Sequence, residues 1–169
     1  SADVVASTGS GKGLTSFAEA ALLTHRGLSG PAILQVSSYW FPGDDVSLNF
    51  LPELDVAEAL LAAKRATPRA TVQGFLRGHL SARLADMLAE QIGIEGNLAD
   101  TPDKALRAAA ARLSDWVFTP NGTEGFAKAE VTIGGVSTAE LSQQTMEAKR
   151  VPGLQCGGGA VGVAGWRGG

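Results

Sequence analysis

Residues 9–13 of this chain combine glycines with a lysine, the composition of loops that cradle phosphate groups through their backbone amides. The phosphate-loop motif also requires a glycine where Ala6 stands, and a serine or threonine after Lys12 to reach magnesium. Gly13 follows Lys12 instead. Because the segment fails the motif at two positions, we predict a flexible surface loop.

A second glycine pattern, Gly157, Gly159 and Gly162, matches G-x-G-x-x-G and follows a strand predicted at residues 153–156. Dinucleotide binding requires a helix that begins at these glycines, so that its N-terminus faces the pyrophosphate, and an acidic residue further along the chain. Residues 164–169 are poor helix formers and include no acidic residue. The pattern is therefore interpreted as a glycine-rich segment that does not bind a dinucleotide.

The histidines and the cysteine give weak indications of chemistry. His25 precedes a turn and a helix predicted to begin at Pro31 with Ser29 as its cap, and helix N-termini attract anions and carbonyl groups. His25 either meets a ligand there or lies exposed on the turn, and the residues alone favour the exposed turn. His79 is predicted to face solvent, and Cys156, which has no cationic neighbour in sequence, to be a small buried apolar residue.

No pair of carboxylates stands out as an acid and base. Glu130, Glu140 and Glu147 have no spacing that would pair two of them, and Glu140 is more simply the capping-box partner of Ser137. Several aromatic residues either form a ligand platform or anchor the core, and core positions are favoured: Tyr39, Trp40, Phe41, Trp116 and Phe118. No catalytic residue is assigned.

The composition is that of a soluble protein able to bury a core, with 44% hydrophobic and 18% charged residues among 169. A net charge of -3 without a basic stripe argues against a nucleic-acid partner. One cysteine and two histidines provide neither an internal disulfide nor a zinc set, so we expect no metal and a reducing, cytoplasmic location.

The chain has no apolar run near the roughly 20 residues that cross a bilayer, and no signal-peptide pattern at its start, so no membrane partner is expected. It opens with Ser1 rather than Met and leads directly into a predicted strand at residues 3–7. We therefore expect it to be a piece of a longer polypeptide.

The first third of the chain is predicted to be rich in β-structure. A compact buried strand is expected at residues 20–24, then the helix beginning near Pro31, with Ile33, Val36 and Trp40 on one face. The pair Pro42-Gly43 ends that helix, and the alternation of Val46, Leu48 and Phe50 predicts a half-buried strand.

From residue 55 the hydrophobic period becomes helical. Asp55 and Glu58 form a capping-box pattern, and further helices are predicted at residues 71–77, 81–92 and 102–116, the last with Thr101 as its cap and Trp116 toward the core. Strand character returns at residues 126–133, before a turn at Gly134-Gly135.

These elements predict an α+β fold, a small β-sheet or barrel-like domain with a helical insertion. Four segments are expected: a β-rich first part at 1–54, a helical block at 55–116, a β-rich return at 117–136 and a final segment at 137–169.

Several short segments, in this order, resemble one family, the bacterial aminoacetone-oxidase-like flavoproteins, which are oxidoreductases dependent on FAD and NAD(P). The segments that carry the resemblance are residues 24–32 (THRGLSGPA), 37–40 (SSYW), 122–125 (GTEG), 131–136 (VTIGGV), 145–147 (TME) and 151–154 (VPGL). Their combination is specific, whereas no single glycine pattern is.

The resemblance implies that the chain is the insert, substrate-side domain that covers the flavin, followed by a segment returning to an FAD domain. Its partners are then the missing FAD-binding domain of the same polypeptide and a small-molecule substrate, and the isolated chain is inactive and binds no FAD itself. By position, the residues nearest flavin and substrate are Thr24, His25, Gly27, Ser29, Gly30, Thr132, Gly134, Gly135, Gly168 and Gly169.

The chain departs from the family pattern near its end. Gly159 and Gly162 stand where the family places acidic residues that help to hold FAD, and Gln155 and Cys156 replace aromatic strand residues. Since glycine cannot accept a hydroxyl hydrogen bond through a side chain, these departures favour an alternative, a stand-alone binding or interaction module without redox chemistry. A purely structural module is a third interpretation.

Overall fold

The computed structural model describes residues 2–24, 26–125, 127, 129, 134–157 and 160–162. The chain divides into two compact units, Ser1–Asn121 and Gly122–Gly169. The larger unit contains the sheet and the helices α1–α5 described below, and the smaller unit consists of short bridges and turns over its described part.

The first unit is built on a five-stranded antiparallel sheet with the order β3-β2-β1-β4-β5. Its strands are β1 (Ala2–Thr8), β2 (Thr15–Thr24), β3 (Gly27–Ser29), β4 (Val46–Asn49) and β5 (Trp116–Phe118). The long strands β1 and β2 pair over seven positions, from Ala2 with Ala21 to Thr8 with Thr15.

The helices are α1 (Pro31–Ser37), α2 (Val56–Ala66), α3 (Val72–Arg77), α4 (Ala82–Ile92) and α5 (Asp103–Ser114). Short 3-10 turns cover Gly11–Gly13, Leu98–Asp100 and Thr138–Glu140. Along the chain, helices α2–α5 follow β4 and precede β5, and these two strands are neighbours in the sheet. The predicted α+β fold, a small sheet with a helical insertion, is confirmed.

One predicted helix cap is present, and a second cap stands at the predicted start of another helix. Asp55 Oδ1 accepts a hydrogen bond of 3.1 Å from the Glu58 amide at the start of α2, and Thr71 Oγ1 accepts one of 3.0 Å from the Gly74 amide at the start of α3. Each side chain satisfies an amide that has no partner within its helix, which fixes where the helix begins.

Other predicted helix boundaries are wrong. Gly30, not Ser29, caps α1, because Ser29 is paired with Leu22 as the last residue of β3. Thr101 does not cap α5: its buried hydroxyl donates to the Asn97 carbonyl over 3.0 Å, and Pro102 occupies the cap position.

Two more expectations from the sequence fail locally. Trp116 lies in β5 instead of ending α5, and its indole ring packs edge-on against Phe50 with ring centroids 6.0 Å apart. Ser137 precedes a 3-10 turn but makes no side-chain capping bond there. Most of the strand expected at residues 126–133 lies outside the described residues.

The core lies on one face of the sheet, called here the core face. Directly opposed residues share a face, so the register places Val4, Ala6, Leu48 and Trp116 together on it, all buried. Helix α1 packs on β1 and β2, and α5 contacts β4. Leucines of α2–α5 extend the same core: Leu60, Leu61, Leu76, Leu88, Leu106 and Leu113.

The opposite side of the sheet, called here the open face, carries mostly small side chains. It is formed by Asp3, Val5 and Ser7 of β1, Ser16, Ala18, Ala20 and Leu22 of β2, and Ser47 and Asn49 of β4. All of these side chains are half-buried or exposed. The buried residues of β1 and β4 alternate with these open-face residues and therefore lie on the core face.

Two ion pairs show how α2 and α5 are arranged. Lys64 near the end of α2 contacts Asp103 at the start of α5, with 2.8 Å between Nζ and Oδ1, and Glu58 near the start of α2 contacts Arg107 over 3.4 Å. The two helices therefore run antiparallel. In α3 and α4, Arg77 contacts Asp86 with two hydrogen bonds of 2.7 and 2.9 Å.

No helix in the part of the chain that the structure describes is long and apolar enough to cross a membrane.

Candidate functional site

The residues highlighted by the family resemblance fall into both units. In the first unit, Thr24 ends β2 and Gly27 begins β3, and the two are paired across a tight hairpin. Thr24 Oγ1 donates to the Gly27 carbonyl over 3.1 Å and accepts from the Arg26 amide over 3.2 Å. The threonine hydroxyl thus holds the turn in place, and all three residues are exposed.

Ser29 and Gly30 join this hairpin to α1. Gly30 has a φ of 93°, and a Cβ built on it would lie 3.0 Å from the Ala20 carbonyl oxygen and 3.1 Å from the Leu22 amide nitrogen. Its carbonyl oxygen accepts from the Ile33 and Leu34 amides as α1 begins. Glycine is required here by both the left-handed backbone and the close approach to β2, which is a structural reason for this part of the motif.

Gly134 and Gly135 belong to the second unit, with φ values of 97° and 131°. A Cβ on Gly135 would lie 2.8 Å from the Ala160 carbonyl oxygen and 2.9 Å from the Gly162 amide nitrogen. The next residue, Val136, forms a parallel bridge with Val161, with amide-to-carbonyl bonds of 2.9 Å on either side. The predicted turn therefore allows two chain segments to approach closely.

Four of the highlighted residues, His25, Thr132, Gly168 and Gly169, lie outside the described residues, as does Gly159. The structure brings Thr24, Gly27, Ser29 and Gly30 together within one hairpin, and Gly134 and Gly135 within the other unit. That all ten surround one flavin remains a prediction.

The remaining candidates from the sequence are also located. His79 is exposed, as predicted, with its ring 4.9 Å from that of Phe75. Cys156 is half-buried, less than predicted. Of the aromatics, Trp40 and Trp116 are buried core residues, but Tyr39 and Phe41 are 47% and 64% exposed.

A second site, which sequence reasoning did not find, is a cleft on the open face of the sheet. Its volume is about 380 Å³, and strands β1 and β4, the loop after β1 and the end of α5 line it. The polar side chains of this cleft are Ser7, Thr8, Asp45, Ser47, Asn49, Ser114 and Asp115. The alternation of Val46, Ser47, Leu48 and Asn49 contained the signal, because it places two polar residues on the face away from the core.

Hydroxyl groups cross this cleft in a row. Ser7 lies opposite both Ser16 and Ser47 in the strand register, and the Ser7 and Ser16 hydroxyls are 2.8 Å apart. The Ser47 hydroxyl donates in turn to Asp115 Oδ1. The row of serines therefore ends at a carboxylate whose direction Ser47 sets.

Asp45 is the second carboxylate of the cleft. Its Oδ1 accepts from the Thr119 hydroxyl over 2.6 Å, and its backbone carbonyl accepts from the Thr8 hydroxyl over 2.8 Å. Asn49 Oδ1 accepts from the Leu51 amide over 3.0 Å. No lysine, arginine or histidine lines the cleft within the described part of the chain. This chemistry suits a neutral ligand with hydroxyl or amide donors better than an anion.

The side chains whose pKa values are shifted lie in the helical block, away from the cleft. The hydrogen bond from Arg77 is the main cause that lowers the pKa of Asp86, and the same contact raises the pKa of Arg77. The hydrogen bond from Lys64 likewise lowers the pKa of Asp103. Because these groups are exposed ion pairs, they indicate surface structure and not catalysis.

Within the described ranges, no three His, Cys, Asp or Glu side chains are grouped as a metal site. The described part of the second unit also has no α-helix beginning at a glycine turn, which is the feature that holds an FAD pyrophosphate.

Comparison with known proteins gives a consistent result. The model of the family described as "HI0933-like protein barrel and H2TH domain" matches residues 2–131. The chain is 44% identical over 160 residues to a protein of Escherichia coli (strain K12) named "Ribosomal RNA dihydrouridine synthase", and 39% identical over 155 residues to one of the same name from Haemophilus influenzae (strain ATCC 51907 / DSM 11121 / KW20 / Rd).

These two alignments cover 92% and 91% of this chain but 39% of each relative. The chain thus spans about two fifths of the length of the curated relatives it matches. Neither name mentions aminoacetone.

Proposed function

Because the chain belongs to the HI0933-like family with its barrel and H2TH domain, we propose that it is the substrate-side domain of a flavin-dependent enzyme that forms dihydrouridine in ribosomal RNA. The observation that carries the proposal is the identity of 44%, sustained over 92% of the chain, with a relative of that name. The match includes the sheet and the helical insertion together, so it is not confined to one motif.

Dihydrouridine differs from uridine by two hydrogens across the C5–C6 bond of the uracil ring. Its formation adds two electrons and two protons to that bond, and we propose NAD(P)H as the source of the electrons, with FAD as their carrier. The proposal assigns FAD binding to the rest of the polypeptide. The isolated chain is then expected to bind no FAD and to be inactive.

This proposal changes two expectations from the sequence. Uridine within ribosomal RNA replaces the expected small-molecule substrate, because both relatives carry the RNA-based name. The expectation of no nucleic-acid partner rested on the net charge of -3, which averages the whole chain and is compatible with an RNA contact elsewhere in a longer polypeptide. A cytoplasmic location is kept as part of the proposal, since ribosomal RNA is made and used there.

A chimera tests the proposal directly. The matching 160 residues of the E. coli relative would be replaced by this chain, and ribosomal RNA from cells that depend on the chimera would be digested and analysed by mass spectrometry. We expect one uridine to gain the mass of two hydrogens. The control is the E. coli relative with the same segment deleted, which should leave that uridine unmodified.

A chimera that is folded and yellow with flavin but forms no dihydrouridine would contradict the proposal. The alternative, a stand-alone binding module, is favoured by Gly159 and Gly162, which stand where the resemblance implies acidic residues near FAD. Under that alternative the chimera should purify without flavin absorbance, so the colour of the protein separates the two functions.

A further inference from the structure

The cleft on the open face has the size of a small ligand site. A volume of about 380 Å³ lies within the range of ligand pockets and accommodates a nucleoside. Five of its lining residues come from the paired strands β1 and β4, so their positions are fixed by backbone hydrogen bonds rather than by a loop. Sites built on strands hold their side chains more precisely than sites on loops.

The side chains of the cleft match the hydroxyls of a sugar. Asp115 Oδ1 accepts from Ser47, whereas Asp115 Oδ2 has no hydrogen-bond partner among the described residues. A carboxylate with a free oxygen accepts hydrogen bonds from ribose hydroxyls, as acidic residues do in dinucleotide-binding proteins. The neighbouring Ser7 and Ser47 hydroxyls add groups that both donate and accept.

The charge of the cleft argues against other parts of a nucleotide. Among the residues that the structure describes, two carboxylates, Asp45 and Asp115, and no cationic side chain line it, so a phosphate group would be repelled. The same described lining includes no aromatic ring on which a base would stack. A neutral group rich in hydroxyl donors is what remains.

We propose that this cleft binds the vicinal 2′,3′-hydroxyls of a ribose, with Asp115 accepting from the 2′-hydroxyl and Ser7 and Ser47 bonding its neighbour. The inference rests on the proposed function for its biological setting, because the NAD(P)H proposed there as the electron source carries such a diol on its nicotinamide ribose. A ribose inside an RNA strand has its 3′-oxygen bound to phosphate, so the diol belongs either to a nicotinamide dinucleotide or to the 3′-terminal nucleotide of RNA, for which uridine is the probe.

The first experiment measures binding to the chain itself. Uridine, 2′-deoxyuridine and NADH would be titrated into isotope-labelled protein, with backbone amide shifts recorded by NMR. We expect uridine to shift the amides of Ser7, Ser47 and Asp115, and 2′-deoxyuridine to bind about tenfold more weakly for lack of one charge-assisted hydrogen bond. A tighter response to NADH than to uridine would identify the dinucleotide as the source of the ribose.

Variants make the test specific. Asp115→Asn should weaken uridine binding about tenfold, and the matched control Asp100→Asn, which changes an exposed aspartate outside the cleft, should leave it unchanged. Ser47→Ala, which removes the group that orients Asp115, should have a smaller effect in the same direction. Thermal unfolding of each variant establishes that it is folded before binding is compared.

Equal binding of uridine and 2′-deoxyuridine, shifts that do not map to the cleft, or no response to the Asp115→Asn change would each overturn the inference. Failure of the proposed function is separately visible. If the chimera with Asp115→Asn still modifies ribosomal RNA, with unchanged KM values for NAD(P)H and for the RNA, the ribose site in the cleft is refuted. The proposed enzymatic function is then unaffected. If no chimera forms dihydrouridine, the uridine titration still decides the cleft.

Discussion

The two faces of the same sheet are used in opposite ways. In β4, Val46 and Leu48 are buried under the helices, while Ser47 and Asn49 between them lie on the open face with a cleft beside them. The backbone and the strand pairing are common to both sets. The difference therefore resides entirely in the side chains, and it shows that one face of the sheet supplies stability while the other remains available for binding.

The comparison also separates two kinds of constraint on sequence. On the core face, side chains of different elements interdigitate, so a change of volume at one position is transmitted to its neighbours. On the open face, side chains meet solvent or one another through hydroxyl groups, as Ser7 and Ser16 do. Changes there should alter recognition with little effect on folding.

The largest expected contrast is between two adjacent residues. Leu48→Ala removes a fully buried side chain from the core and should lower the free energy of unfolding by about 2–5 kcal/mol. Ser47→Ala, one position away on the open face, should change it by about 0.5 kcal/mol or less. Urea unfolding of both variants measures the difference, and equal losses would show that the open face is also part of the stabilising core.

A backbone contrast of intermediate size concerns two glycines. Gly30→Ala should cost about 1–3 kcal/mol, because φ is 93° and the added Cβ would press against β2. The control is Gly13→Ala, where no atom lies within 4 Å of an added Cβ. If thermal unfolding shows no difference between these variants, the close approach of Gly30 to β2 does not exclude a larger residue there.

The smallest effect concerns exposed charges in the helical block, which resemble the open face in meeting solvent. The pKa of Asp103 is lowered by Lys64, so its ion pair contributes stability above the ordinary carboxyl pKa near 3.8, and this contribution is lost as the pH falls through the lowered value. Asp103→Asn should therefore cause a slight loss of stability at neutral pH and none at strongly acidic pH.

The melting temperatures of the unchanged protein and of Asp103→Asn are measured from neutral to strongly acidic pH, with Asp100→Asn as the control. A loss that persists unchanged in strong acid would mean that Asp103 acts through its helix position and not through Lys64.

Sequence reasoning worked best where the signal is local. The capping pattern at Asp55 and the strand alternation from Val46 depend on residues a few positions apart, and both are observed. It failed where two local patterns compete for one side chain. Thr101 resembles a cap next to Pro102, but its buried hydroxyl donates to the Asn97 carbonyl four residues earlier, in the turn before α5.

The same distinction applies to the two candidate sites. A turn between residue 25 and α1 and a turn at Gly134-Gly135 were predicted, because glycines mark turns along the chain. The cleft was not, since Ser7, Ser47 and Asp115 are far apart in sequence and become neighbours only through strand pairing and the return of the chain after α5. No single segment carries a pattern for it.

The insertion of all four helices α2–α5 between the adjacent strands β4 and β5 has a consequence for the order of folding. Leu48 and Trp116 are paired neighbours in the sheet, yet the whole helical block separates them along the chain. Joining β4 to β5 directly would close a long, costly loop, whereas the helices form from local contacts that shorten the distance between their ends. We therefore expect the helical block to form first and β5 to dock last, so that the cleft beside Asp115 is completed only in the final step of folding.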